Sequence, residues 1–250
     1  MDPKGKNILV VGMGQSGLAA ALYLKQRGAN VRVTDRGASE ASVRILKKKD
    51  IAFETHGHTK SFVGYPDLIV VSPGVSPQAL PIVIAEKNGI PVLSEVEIAY
   101  QKNLKEKIIA VTGTNGKTTT TALIHHIITY SGQTSLVCGN YGAPLSQVRL
   151  ENSLKDWFVC ELSSYQLERI DRFSAHIAVF LNLTPDHMDR YERLDDYLGA
   201  KMNLCRNLNE NDWVIADFED FHTALASYRC RAKQLYISTK TKLNEGAWID

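Results

Sequence analysis

Val111-Thr112-Gly113-Thr114-Asn115-Gly116-Lys117-Thr118-Thr119 follows the apolar run Ile108 to Val111 and leads into a stretch of helical character. That is the layout of a phosphate-binding loop. Glycines let the backbone wrap an anion closely, amide groups at a helix start carry partial positive charge, a lysine reaches the outer phosphates, and a hydroxyl ligates Mg²⁺. Gly113, Thr114, Asn115, Gly116, Lys117, Thr118 and Thr119 are therefore expected to cradle the phosphates of a nucleoside triphosphate. The usual G-x-x-x-x-G-K-[ST] pattern has glycine where Val111 stands, so this loop is a variant.

Outward from the loop, short β-branched runs alternate with helix-compatible stretches: Ile8 to Val11, Val31 to Thr34, Leu68 to Val71, Ile108 to Val111, Phe158 to Cys160, Ile177 to Leu181 and Trp213 to Ala216. This rhythm predicts an α/β protein with parallel sheets. Apolar spacing predicts helices over 16–27 and 118–130, and a helix-like stretch over 197–207. The polar run Gln101 to Lys107 reads as a break. A Rossmann-like parallel-sheet domain is expected over residues 1–94, followed by a P-loop α/β ATPase domain over 95–250. The latter reads as truncated, because Asp250 comes soon after the strand-like Gln234 to Ile237.

Composition sets wide bounds. The 250 residues suffice for two ordinary domains, and 44% hydrophobic with 22% charged residues is the mix of a packed globular protein. With 29 Lys plus Arg against 27 Asp plus Glu, the net charge of +2 gives no broad reason to bind nucleic acid. Cys138, Cys160, Cys205 and Cys230 lie far apart in sequence, without a C-x-x-C pair, which fits reduced thiols. No apolar stretch approaches a bilayer span, and the N-terminal run flows straight into a glycine motif, so the expectation is a soluble, cytoplasmic protein.

That motif, Gly12-Met13-Gly14-Gln15-Ser16-Gly17, follows the first strand and opens a helix, with Asp35 ending the second strand. It is a dinucleotide fingerprint, although the same turn can cradle any diphosphate or serve only as a tight βα turn. Ser72-Pro73-Gly74-Val75 stands at the end of another strand, where open α/β sheets bind ligands. Glu161 leaves the buried run Trp157 to Cys160 and can hold Mg²⁺ beside the phosphate loop, with a capping or ion-paired acid as the alternative. His187 sits in the polar stretch after Ile177 to Leu181, where a ligand role and a structural one both stand. His56 and His58 flank a glycine in a loop without evident partners, and His125 and His126 lie on a helix; all four read as structural. Lys201 reads as solvated surface.

Taken together, the variant loop Thr112 to Thr118, Glu161-Leu162-Ser163-Ser164-Tyr165-Gln166-Leu167-Glu168 and Asn182-Leu183-Thr184-Pro185-Asp186-His187-Met188-Asp189-Arg190-Tyr191 resemble the Mur ligases. These ATP-dependent enzymes add amino acids to the peptidoglycan precursor. The last two motifs look like those of the branch that adds D-glutamate to UDP-N-acetylmuramoyl-L-alanine. The resemblance implies that Gly14, Gln15, Ser16, Gly17, Asp35, Arg36, Ser72, Pro73 and Gly74 hold the UDP end. It also implies that Asn140, Gln166 and His187 orient the muramoyl-alanine arm. Lys117, Glu161, His187 and Lys201 would be the catalytic set. Thr118, Glu161 and His187 would ligate two Mg²⁺ ions, assisted by a carbamoylated Lys201. A monomer is expected, with a third domain for the incoming D-glutamate absent from these 250 residues and little activity in the piece alone.

Two readings from other classes stay open at this point. One is a nicotinamide-dependent oxidoreductase built on Gly12 to Gly17 and Asp35, which leaves the second loop unexplained. The other is a non-catalytic nucleotide-binding module.

Overall fold

The computed structural model describes residues 2–37, 39–100, 105–151 and 154–249. Residues 101–104, which make up much of the expected interdomain break, and Asp250 lie outside the described residues. The chain forms two compact units, the first comprising Met1–Tyr100, Pro144–Ser153 and Arg169–Asp171, the second Gln101–Ala143, Leu154–Glu168 and Arg172–Asp250.

The first unit runs β1 (Asn7–Val11), α1 (Gln15–Gln26), β2 (Asn30–Thr34), α2 (Glu40–Lys48), β3 (Ala52–Glu54), α3 (Lys60–Val63), β4 (Leu68–Val71), α4 (Leu80–Asn88), β5 (Val92–Ser94) and α5 (Glu95–Ala99). Its parallel sheet has the order β3-β2-β1-β4-β5. Side chains alternate across a strand, and β1 shows the result: Ile8 and Val10 pack with Ala20, Leu24 and Val33, while Leu9 and Val11 pack with Ile69, Ile82 and Ala85. Both faces are covered, so β1 reads as an unbroken apolar run. Strand order reverses between β1 and β4, and the crevice beyond their carboxyl ends receives the Gly12 to Gly17 turn.

The second unit contains β6 (Lys107–Thr112), α6 (Lys117–Tyr130) and β7 (Ser135–Gly139). After these comes α7 (Leu145–Leu150), which clusters with the first unit. The second unit then continues through β8 (Trp157–Glu161), α8 (Ser164–Leu167), β9 (Ile177–Phe180), α9 (Leu194–Met202), β10 (Trp213–Asp217), α10 (Phe218–Ser227), β11 (Lys233–Ser238) and β12 (Ala247–Trp248). Its parallel sheet has the order β12-β11-β10-β9-β6-β8-β7. Ile109 and Val111 of β6 pack with Val159, Val179 and the α6 residues Ile124 and Ile128. The stretch expected as helix over 197–207 instead holds the end of α9 and a 3-10 turn at Asn203–Cys205. All four cysteines are free thiols, yet the sheet brings Cys138 and Cys160 into register on β7 and β8 with sulfurs 3.1 Å apart. Among the described residues no helix is long and apolar enough to cross a membrane.

Glu95, the first residue of α5, is buried in the first unit at 1% exposure. Its Oε1 accepts the Ser146 N–H at 2.5 Å, while Oε2 has no hydrogen-bond partner among the described residues. Burial outweighs the Ser146 bonds and pushes the carboxyl up to about 7. The native state thus keeps a proton that the unfolded chain gives up near its usual value of 4.5. Stability falls as pH rises through that window and levels off above it, by about 3 kcal/mol at most. Glu95→Gln removes this dependence. Urea unfolding at pH 5 and pH 8 should show the variant gaining on the wild type as pH rises, and a constant difference would refute the assignment.

Candidate active site

In the sheet, β6 lies between β8 and β9, so three carboxyl ends meet around the loop that leaves β6. Gly113 has φ +149, and a Cβ there would lie 2.9 Å from the Leu181 Cβ. Gly116 caps α6 in the left-handed region at φ +79, with no side-chain cap and no acid in the first helical turn. The amide end of α6 is therefore open to an anion. Two residues beyond β9 fix the loop from outside. Asn182 takes the Thr114 N–H on its carbonyl at 3.0 Å and the Asn115 N–H on Oδ1 at 2.8 Å. The Thr184 N–H donates to Thr114 Oγ1 at 3.1 Å, and that hydroxyl donates to the Thr184 carbonyl at 3.1 Å. Lys117 Nζ donates to the Thr114 carbonyl at 2.7 Å, and Thr119 is exposed in the first turn of α6.

Glu161 ends β8 and is 2% exposed. Its Oε2 accepts the Thr118 hydroxyl at 2.7 Å and its Oε1 the Asn140 amide at 2.8 Å, while the Asn140 N–H donates to the Glu161 carbonyl at 2.8 Å. Among the described residues no three His, Cys, Asp or Glu side chains gather as a metal cage. The Thr118 hydroxyl and Glu161 carboxylate instead form a sparse oxygen set suited to Mg²⁺, which takes one or two carboxylates and fills its other positions with water and phosphate oxygens.

The surface position read for Lys201 is corrected here: it is 1% exposed, on the buried face of α9 with Tyr197, Ala200 and Met202. Its Nζ donates to the Gly113 carbonyl at 2.8 Å and lies 4.1 Å from the Tyr197 ring centre. Burial, with the Lys117 charge adding to it, pushes this ammonium down to about 7. A large fraction is a neutral, nucleophilic amine near neutral pH. His187, at φ +56, packs its imidazole 4.9 Å from the Tyr165 ring and 6.2 Å from that of Tyr197, with Nε2 3.6 Å from the Asp186 carboxylate. Gln166 is buried in a capping box with Ser163 at the start of α8.

In the first unit, the glycine turn has no room for side chains where it closes. A Cβ on Gly17 would sit 2.0 Å from the Gly12 carbonyl oxygen, whereas one on Gly14 would meet nothing within 4 Å. The Asp35 carboxylate braces the turn, accepting the Met13 N–H at 2.5 Å and the Gly37 N–H at 3.0 Å. Gln15 and Ser16 open α1 behind Gly14, again without a side-chain cap or an acid in the first turn. Beside them, Ser72 Oγ is buried with no hydrogen-bond partner among the described residues, and Pro73 and Gly74 continue the turn after β4. Arg36 is exposed. His58, read as unpartnered, bonds Thr34 Oγ1 at 2.9 Å, and His125 bonds Ser135 Oγ at 2.7 Å.

The sequence reading gave no role to Asn182, Thr184, Tyr165 or Tyr197. The first two carried a usable signal, as polar residues immediately beyond an apolar strand. The tyrosines carried none, since aromatic residues fill cores throughout.

Residues 111–249 match the Mur ligase middle domain, and residues 6–94 match the Mur ligase MurD-like N-terminal domain. The chain belongs to the Mur ligase family. It is 40% identical over 252 residues to the UDP-N-acetylmuramoylalanine--D-glutamate ligase of Acidobacterium capsulatum, covering 100% of this chain and 54% of that protein. The protein of the same name from Koribacter versatilis is 40% identical over 254 residues, covering 100% and 55%. The chain spans about half the length of the curated relatives it matches. Among solved structures it shares a fold with the UDP-N-acetylmuramate:L-alanyl-gamma-D-glutamyl-meso-diaminopimelate ligase from Neisseria meningitides, at TM-score 0.61 and 19% identity over 97% of this chain and 82% of that one. It also shares the fold of the UDP-N-acetylmuramate-alanine ligase from Thermotoga maritima, at TM-score 0.53 and 24% identity over 94% and 53%.

In this Mur ligase chain Gly139, at φ +97, lies against the strand end that carries Glu161, and a Cβ on it would sit 2.3 Å from the Glu161 carbonyl oxygen. Gly139→Ala should destabilise the protein by about 1–3 kcal/mol through backbone strain and overpacking. Urea unfolding measures this, and an unmoved midpoint would contradict the close approach.

Proposed function

We propose that the parent enzyme joins D-glutamate to UDP-N-acetylmuramoyl-L-alanine at the expense of ATP, as a cytoplasmic monomer making peptidoglycan precursor. The observation that carries this reading is the bonded series Thr118, Glu161, Asn140 at the mouth of an uncapped phosphate loop. It brings an anion cradle, an acid able to hold Mg²⁺ and a polar side chain to one place. The two curated relatives' names supply the choice of amino acid.

On this reading residues 1–94 form the UDP-substrate domain and 95–250 the ATP domain. Gly14, Gln15, Ser16, Gly17 and Ser72 to Gly74 receive the UDP end, where the free amides of α1 and the partnerless Ser72 hydroxyl offer donors to phosphate. Asp35 acts chiefly by holding the turn, and Arg36 is free to approach the same end. Asn140, Gln166 and His187 orient the muramoyl-alanine arm. The loop residues Gly113 to Thr119 hold ATP, and Lys117 leaves the Thr114 carbonyl for the outer phosphates. Thr118, Glu161, His187 and a carbamoylated Lys201 would hold two Mg²⁺ ions, which supply neutralising charge where two anions must meet.

The alanine carboxylate is a poor electrophile. Transfer of the terminal phosphoryl group of ATP to one of its oxygens gives an acyl phosphate and ADP. The D-glutamate amine then attacks the acyl carbon, the amide forms, and phosphate leaves with its oxygen. Lys117 faces the charge that builds during the first step, so its loss should affect turnover more than folding.

In the full-length protein, phosphate release should require both UDP-N-acetylmuramoyl-L-alanine and D-glutamate. Release with a different amino acid in place of D-glutamate would overturn the assignment. Lys117→Ala should lower kcat/KM by about 10³-fold or more, and near-normal turnover would remove the loop from the reaction. For Lys201, incubation with ¹³C-bicarbonate should give a carbamate carbon resonance absent from Lys201→Ala; the same resonance in both would place the adduct elsewhere.

A further inference from the structure

Glu168 makes contacts that none of these roles requires. Its carboxylate accepts the Arg190 Nε–H at 3.2 Å, a second guanidinium N–H of the same arginine, and the Tyr191 hydroxyl. The Arg190 and Glu168 side chains are only 14% and 20% exposed, so the pair is sheltered and its two-pronged geometry is strict. The guanidinium carbon lies 4.4 Å from the Tyr165 ring centre, and the Tyr165 ring lies 4.9 Å from the His187 imidazole, tilted by 45°. Tyr191 in turn packs 6.1 Å from Tyr165 and 5.2 Å from Tyr197.

The segment from Asn182 to Tyr191 is therefore held at two ends by different means. Its beginning is bonded to the phosphate loop through Asn182 and Thr184. Its far end is bonded to Glu168. His187 lies between them in the left-handed region, a conformation that a non-glycine residue keeps when its surroundings impose it.

We propose that Glu168 is a positioning residue, aiming His187 through Arg190, Tyr191 and Tyr165 and so setting the place of the acid-bearing substrate arm, while the ATP cradle keeps bonds of its own. The kinetic part rests on the ligase reading above; the geometric part does not. Loss of the carboxylate removes the acceptor of two Arg190 N–H groups and of the Tyr191 hydroxyl, and loosens the anchor of the layered Arg190, Tyr165 and His187 groups. The phosphate loop keeps its own bonds to Asn182 and Thr184.

The test uses the full-length protein with Glu168→Gln, which keeps size and removes charge, and Tyr191→Phe, which keeps the ring and removes one bond. For Glu168→Gln, kcat should fall about tenfold and KM for UDP-N-acetylmuramoyl-L-alanine should rise several-fold, with KM for ATP held within about twofold. Tyr191→Phe should move the same constants in the same direction by less, and it carries the test if Glu168→Gln does not fold. In ¹H–¹³C spectra, the His187 ring signals, displaced in the wild type by the Tyr165 ring current, should move toward free-imidazole positions in the variants. Unmoved His187 signals, or equal rises in both KM values, would overturn the proposal. If the wild type shows no D-glutamate-dependent turnover, the ligase reading fails, and the His187 spectra still decide whether Glu168 positions this segment.

Discussion

The buried carboxylate of Glu161 is the constraint on which the site depends. A carboxylate removed from water at a strand end is costly unless donors surround it. The donors come from the strands on either side: Thr118 from the first turn after β6, and Asn140 from just beyond β7. Both reach it because β8 lies between β6 and β7 in the sheet. Sheet order thus decides which side chains meet, and one acid links the phosphate loop to the polar residue after a strand distant in sequence.

How legible this was depends on what each residue type signals. The strands β1, β4, β6 and β9 stand out as apolar runs because the sheets cover them heavily on both faces, and the two loops stand out because glycine and lysine have few other uses in such a context. The strands β3 and β5 are too short to register at three residues each, and the five-residue edge strand β7 carries only Leu136 to Cys138 as an apolar run between Ser135 and Gly139. The helix α7 lies in sequence between β7 and β8, and its membership of the first unit is a matter of long-range packing that local periodicity does not encode. Lys201 is the clearest case of an unreadable residue. A lysine on an amphipathic helix is ordinarily solvated, and nothing in its neighbours' composition marks it as enclosed by Tyr197 and the phosphate loop.

The two lysines of the site show how one loop can serve ions of opposite sign. Lys117 and Lys201 donate to successive carbonyls of the loop, Thr114 and Gly113, while the uncapped start of α6 leaves amide donors for an anion. The carbonyl side favours cations and the amide side anions. Lys117, only partly buried, can exchange a neutral carbonyl for charged phosphate oxygens, which are the stronger acceptors. Lys201 has no such freedom, because it is almost fully enclosed and its ammonium is already disfavoured by burial and by Lys117. The carbamoylation proposed above would resolve that tension. A carbamoylated nitrogen would retain one N–H for the Gly113 carbonyl, so the existing contact would survive, while the new carboxylate would put an anion that attracts Lys117 and Mg²⁺ in place of a cation that would repel them.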